Sequence, residues 1–365
     1  MTACAVLAIR NVEFQANRVF DPAAVEHIRA SLQPMVIPWL RVAAEAKRRG
    51  VRVVTADCAA AEGIDPHRLL LVAYDWTPQA EALLACGARP SVLLSLEPPV
   101  IGWWLYAHLP EVSRRFRHVF WFEGARDRVA PTTTFHPLSF PLPCPPPAPS
   151  AIRWDERRFL VMVNSNKALS RATDPRRWLD RPREVSAKRS LAALRWPAIN
   201  ADRYQERLAA IDALADLPDF DLFGEGWERR HPAVTPRQHG RAMRAFRGRA
   251  TDKLALLGQY RFVLAIENSR FAGYVSEKLF DALYAGAIPV YDGAPDVARY
   301  VPKDAFVDRR AFASWAEVEE FLRAMTETDA QRYLEAGQAF LRSHDFVRFC
   351  AGSFARELVD TLVSE

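Results

Sequence analysis

The sequence predicts two α/β domains, each a parallel sheet covered by helices, and three observations carry that prediction. Short apolar runs of strand length alternate with stretches of helical spacing along most of the chain, the order that builds parallel sheets with helices on both faces. The alternation breaks once, at PLSFPLPCPPPAPS between His136 and Ser150, which holds seven of the 26 prolines. Such a segment continues neither a helix nor a central strand, so it reads as extended and semi-rigid. A length of 365 residues, at about 100–200 residues per domain, also suits two domains.

In chain order, VRVVTADCA (51–59), LLLVAYDW (69–76) and SVLLSLE (91–97) read as buried strands, with HVFWF (118–122) a further one. The segments 38–50 and 78–88 between them show helical spacing and end on or near glycine, a usual helix stop. The proline segment is then taken as the interdomain linker, with a surface loop inside one domain as the alternative. Beyond it, FLVMVNS (159–165), FDLFG (220–224), RFVLAIE (261–267) and IPVYDG (288–293) read as strands. The stretches 184–217 and VSEKLFDALYAGA read as mostly helical, with a charged, helix-rich connection before Arg261. The expected division is 1–140, a linker at 141–150, and 151–365 with the C-terminal helices.

Composition narrows the function. Half the residues are hydrophobic and a quarter are charged, the balance of a soluble globular protein. The formal net charge of +5 suits an anionic ligand such as a nucleotide and falls short of the basic patches of a nucleic-acid binder. No stretch approaches the roughly 18–20 apolar residues that cross a bilayer, and MTACAVLAIRNVEF reads as a strand rather than a signal peptide. Five scattered cysteines with no CxxC spacing argue against a disulfide scaffold and a structural zinc site. The expectation is a reduced, cytoplasmic protein, with a peripheral membrane contact compatible with it.

The chemistry concentrates in RFVLAIENSRFAGYVSEKLFDALYAGAIPVYDGAPDVARYVPKDAFVD (261–308). A buried strand ends in a polar loop holding Glu267 and Asn268. A helix starts near Val275, with Ser276 as cap and Glu277 and Lys278 in its first turn. The free N–H groups and partial positive charge of a helix N-terminus suit a phosphate, and Lys278 adds a full charge. The bland alternatives are a Glu placed for the helix dipole and a solvated Lys.

This segment resembles the signature of the α1,3/α1,4-fucosyltransferase family, glycosyltransferase family 10: a strand, Glu-Asn-Ser/Thr, Tyr-Val-Thr-Glu-Lys, a helix, then Pro-Val-Tyr-x-Gly. Ser276 replaces the usual Thr and keeps the hydroxyl. FLVMVNSNK (159–167), FDLFGEGW (220–227) and SVLLSLEPPVI (91–101) are similar to other family pieces, in the family's order, and the likeness covers roughly 91–325. The resemblance implies a GT-B fold, two Rossmann-like domains facing across a cleft. It also implies an inverting transfer of L-fucose from GDP-β-L-fucose to a glycan hydroxyl, α1,3 to a GlcNAc-type sugar. By the same resemblance Asn268, Tyr274, Glu277 and Lys278 bind the donor, Lys278 at the diphosphate, and Ser165 and Asn166 form the turn near the nucleotide. The family's diphosphate arginine falls in an apparent insertion; Arg183 is favoured for it, with Arg171 and Arg203 as alternatives.

Glu97 is the expected catalytic base, because a sugar hydroxyl is a poor nucleophile until a positioned carboxylate takes its proton. It ends a predicted strand, where open α/β sheets place their sites. Trp103, Trp104 and Tyr106 follow it, either to stack on an acceptor sugar or to plug the core. Asp219-Phe220-Asp221 spells a metal-binding DxD, but GT-B enzymes generally work without metal, so no cofactor and no metal are expected. His136, His231 and His239 lack ligand spacing. The competing functions are a GT-B transferase for another nucleotide sugar and a non-catalytic glycan-binding relative.

Overall fold

The computed structural model describes residues 4–28, 32–144, 152–166, 191–231 and 234–365. Arg171 and Arg183 lie outside these residues. The chain divides into two compact units. The first comprises Met1–Glu97, Trp104–Pro145 and Val347–Glu365, and the second Pro98–Trp103 and Pro146–Phe346.

The first unit is built on a parallel sheet of six strands: β1 (Cys4–Ala8), β2 (Arg52–Thr55), β3 (Leu69–Tyr74), β4 (Arg89–Leu94), β5 (His118–Trp121) and β6 (Thr134–Pro137). Their order is β2-β1-β3-β4-β5-β6. Every residue of β3 is buried, as an apolar strand covered on both faces must be. The apolar run 51–59 is only half strand: after Thr55 it turns into the helix Ala56–Ala61, because its last residues are the helix-favouring alanines of ADCAAA. β6 escapes sequence reading because TFHP is short and half-polar, and its Pro137 is tolerated at a sheet edge.

The second unit is a five-stranded parallel sheet in the order β11-β10-β9-β7-β8, formed by β7 (Arg158–Val163), β8 (Phe220–Phe223), β9 (Tyr260–Ile266), β10 (Ile288–Asp292) and β11 (Val307–Asp308). The four strands read from sequence are present, and β11 adds a two-residue edge. The helix expected after Val275 runs Glu277–Tyr284 and buries Leu279, Phe280 and Leu283. Glycines close β8 and β10 for a steric reason. A Cβ on Gly224 would sit 2.1 Å from the Asn164 carbonyl oxygen, and one on Gly293 would sit 2.4 Å from the Glu267 side chain.

Two expectations are corrected. The chain's last segment belongs to the first unit, not to a domain spanning 151–365. Helix Ala351–Val363 lays Phe354, Leu358, Val359 and Leu362 into the first core, beside the helix Gln33–Arg48, where Phe354 meets Trp39 edge to face at 5.9 Å. An amphipathic helix does not encode which of two similar sheets it covers. The cysteines are also not all unpaired, since Cys144 and Cys350, 206 positions apart, form a disulfide. Leu142 and Cys350 are paired in a parallel bridge, with Leu142 N–H donating to the Phe349 carbonyl at 2.7 Å and Ala351 N–H to the Leu142 carbonyl at 2.8 Å. Spacing along the sequence cannot show a pair that only this return of the chain creates.

Candidate active site

In the second unit the carboxyl ends of β7 and β9 carry most of the expected site. β9 ends at Ile266, and the next residue, Glu267, is fully buried. Its carboxylate accepts the Ser276 N–H at 2.7 Å and the Ser276 hydroxyl at 2.6 Å. Ser276 stands at the N-cap position of the Glu277–Tyr284 helix, but its hydroxyl makes no capping bond to that helix. The hydroxyl is committed to Glu267, which fixes where the helix begins.

Lys278 Nζ lies 3.0 Å from Ser276 Oγ, 3.0 Å from Glu277 Oε1 and 3.4 Å from Glu267 Oε2. Its side chain is 13% exposed. Burial disfavours the ammonium, but Glu277 and Glu267 outweigh it and raise the Lys278 pKa. Burial likewise opposes the Glu277 carboxylate, yet Lys278 and Lys253 hold that pKa at about 2. Glu267, the more deeply buried acid, has its pKa pushed up by desolvation against the pull of Lys278. Lys278 is therefore kept charged between two acids at the start of a helix, whose free N–H groups can receive an anion.

Asn268 is held from behind. Arg207, 6% exposed, donates from Nη2 to Asn268 Oδ1 and to the Ile266 carbonyl, both at 2.8 Å. Buried Tyr274 places its hydroxyl 3.5 Å from Asn268 Nδ2. Asn166 is anchored by its whole amide: Nδ2 donates to the Gly226 and Arg229 carbonyls at 3.0 and 3.2 Å, and Oδ1 accepts from Tyr204 Oη at 2.6 Å. Asn166 thus secures the turn, and half-buried Ser165 beside it is the more available of the two.

Tyr204 and Arg207 lie on one helix, Tyr204–Leu214, and i, i+3 spacing puts them on one face. That helix ties the end of β7 to the end of β9. Sequence reasoning missed both residues, since a buried Arg in RYQERL looks like any surface arginine; the signal was its spacing from Tyr204. Arg203, weighed for the diphosphate, is instead bound to buried Asp292 through Nε at 3.0 Å and lies 3.3 Å from Glu206. Arg270 holds the other Asp292 oxygen at 2.9 Å.

In the first unit Glu97 follows the end of β4. Its N–H donates to Ser95 Oγ at 3.2 Å, and its carbonyl accepts from Tyr106 Oη at 2.9 Å. Tyr106 is a core residue, whereas Trp104 is 41% exposed and stacks on His108 at 4.4 Å. The DxD acids work separately. Asp219 pairs with Arg323 at 2.9 Å, while buried Asp221 takes Tyr260 Oη at 2.8 Å and Arg247 at 2.7 Å. Among the described residues no group of three or more His, Cys, Asp or Glu is placed to hold a metal. His136 sits on the edge strand β6, stacked on Phe120 and 3.1 Å from His118.

The two parallel-sheet α/β units define the class: the fold is GT-B, that of one broad group of glycosyltransferases. Over 100% of this chain and 98% of its own, a glycosyltransferase from Rickettsia africae superposes with a TM-score of 0.56 at 10% identity. An α1,3-fucosyltransferase crystallised with GDP superposes over 99% and 90% with a TM-score of 0.51 at 14% identity. Residues 185–338 match the family model described as glycosyltransferase family 10 (fucosyltransferase), C-terminal. The bovine α-(1,3)-fucosyltransferase 7 is 35% identical over 173 residues, 46% of this chain and 45% of the relative. The match thus spans less than half the length of that relative.

Proposed function

We propose that the protein is an inverting fucosyltransferase that moves L-fucose from GDP-β-L-fucose to a hydroxyl of an acceptor glycan, α1,3 to a GlcNAc-type sugar. The observation that carries this reading is the Glu267–Ser276–Glu277–Lys278 group at the end of β9, inside the stretch that matches family 10. Lys278 would meet the leaving diphosphate, and Glu277 and Asn268 would take sugar hydroxyls. Glu97 would accept the proton of the attacking hydroxyl as the anomeric bond to GDP breaks, which leaves an α-fucoside. The reading includes independence from divalent ions, supported by the commitment of Asp219 and Asp221 to different arginines. Activity abolished by EDTA and restored by manganese would contradict that part.

Calorimetry with GDP, UDP and CMP tests the donor assignment. Binding of GDP well above the other two is expected, and equal affinity for all three removes it. Lys278→Ala should weaken GDP binding by about 1.5–3 kcal/mol, the worth of a charged hydrogen bond. An unchanged dissociation constant would put the diphosphate elsewhere. Release of GDP from GDP-fucose across a panel of glycans then identifies the acceptor.

A further inference from the structure

We infer that Glu267 is the positioning residue of the anion site: it draws the Ser276 hydroxyl away from the Glu277–Tyr284 helix, which keeps the helix start open, and it steadies Lys278 there. This rests on the proposed contact between Lys278 and the diphosphate. A serine before a helix usually gives its hydroxyl oxygen to the second or third N–H group of that helix. Thr77, Thr235, Ser314 and Thr326 do so in this chain. Ser276 does not. Its hydroxyl instead donates to Glu267 Oε2 at 2.6 Å, and its N–H donates to Glu267 Oε1 at 2.7 Å. Both carboxylate oxygens are thus spent on one residue. The N–H groups of Lys278 and Leu279, those that a capping hydroxyl would take, are left for an anion.

Glu267 is itself fixed in place. Its N–H donates to the Asp292 carbonyl at 2.8 Å. Gly293 walls its side chain so closely that a Cβ there would sit 2.4 Å from Glu267 Cγ. Glu267 and Ser276 are both fully buried, and a buried carboxylate is a costly way to set a helix start. Burial raises the Glu267 pKa, and Lys278 and the Ser276 bonds pull against it. What the carboxylate contributes is a grip made only of acceptors, together with a negative charge 3.4 Å from Lys278 Nζ. Lys278 Nζ in turn donates to Ser276 Oγ at 3.0 Å, so Glu267, Ser276 and Lys278 form one chain of hydrogen bonds. A glutamine has one acceptor oxygen and an NH2 group. It cannot take both Ser276 bonds, and it brings no charge to Lys278.

Calorimetry with GDP, guanosine and inorganic pyrophosphate tests this on Glu267→Gln and Ser276→Ala. Glu267→Gln should bind GDP about tenfold more weakly, the scale of one charge-assisted hydrogen bond. Its guanosine affinity should be unchanged, because only the diphosphate meets the helix start. Ser276→Ala leaves the helix uncapped and removes only the link to Lys278, so it should lose less. The double variant should lose no more than Glu267→Gln alone, as members of one unit do. NMR titration of isotope-labelled lysine should show Lys278 giving up its proton at lower pH in Glu267→Gln. Should that variant fail to fold, Glu267→Asp, a methylene too short to reach Ser276, replaces it with the same expectation for GDP and guanosine. Unchanged GDP binding, equal losses for GDP and guanosine, or losses that add overturn the inference. If the native protein binds no GDP, the donor reading fails by itself and pyrophosphate decides. Pyrophosphate bound more weakly by Glu267→Gln than by the native protein sustains the inference; equal binding, or none to either, overturns it.

Discussion

Glu277 and Glu97 are both carboxylates near strand ends, and their surroundings give them different work. Glu277, with its side chain 38% exposed, is kept ionised by Lys278 and Lys253 against partial burial, at a pKa of about 2. Its folded-state value lies below the ordinary 4.5, so its share of stability is fully present above pH 4.5 and is lost as pH falls toward 2. The stability gap between the native protein and Glu277→Gln, followed in urea from pH 6 to pH 3, should therefore shrink below pH 4.5. A gap that is constant across that range would mean the lysines do not act on Glu277 in solution. Glu97 faces a chemical task instead. General-base assistance contributes about 10²–10⁴-fold, so Glu97→Gln should lose that much kcat while GDP affinity stays put, since Glu97 is outside the donor-binding group. Near-full turnover in that variant would send the search to Glu123, whose carboxylate pairs with Arg126 at 2.7 Å.

At the scale of elements, the helix Tyr204–Leu214 explains how two strand ends become one surface. Tyr204 reaches Asn166 after β7, and Arg207, one turn later, reaches Asn268 after β9. Tyr204→Phe keeps the ring and removes the hydroxyl, which leaves the buried Asn166 oxygen short of its donor at a cost of about 1–3 kcal/mol. Urea unfolding should show that loss. The same variant should weaken GDP binding only modestly, because Lys278 and its acids remain in place. A variant as stable as the parent would mean that water replaces the phenol at Asn166. The Glu277–Tyr284 helix is set by a different device, the Glu267–Ser276 bonds at its start, and Gly293 lets the chain after β10 pass close to Glu267.

Across the whole molecule, the Cys144–Cys350 bond encloses the segment that forms most of the second unit. The remaining cysteines, Cys4, Cys58 and Cys86, are free. Titration of the unfolded, unreduced protein should count three thiols, and five after reduction; five from the outset would restore the expectation of a fully reduced chain. Closing a loop of this length restricts the unfolded chain strongly, an effect usually worth about 2–4 kcal/mol, so a reductant should lower Tm without touching either hydrophobic core. No helix among the described residues is long and apolar enough to cross a membrane.

The sequence by itself determined the α/β class, the strands β1, β3, β4, β5, β7, β8, β9 and β10, and the loop-and-helix start that holds Glu267, Asn268, Glu277 and Lys278. Those features are local: apolar runs flanked by turn residues, and side chains a few positions apart on one strand end and one helix turn. Only the tertiary structure decided that Asn166 is spent on its own turn, that the Arg203 guanidinium goes to Asp292 while that of Arg207 holds the Asn268 side chain, that the C-terminal helix serves the first core, and that Cys144 meets Cys350. Each of these depends on partners far apart in the chain, and nothing in a residue's own neighbourhood along the sequence records which distant group will satisfy its hydrogen bonds or cover its apolar face.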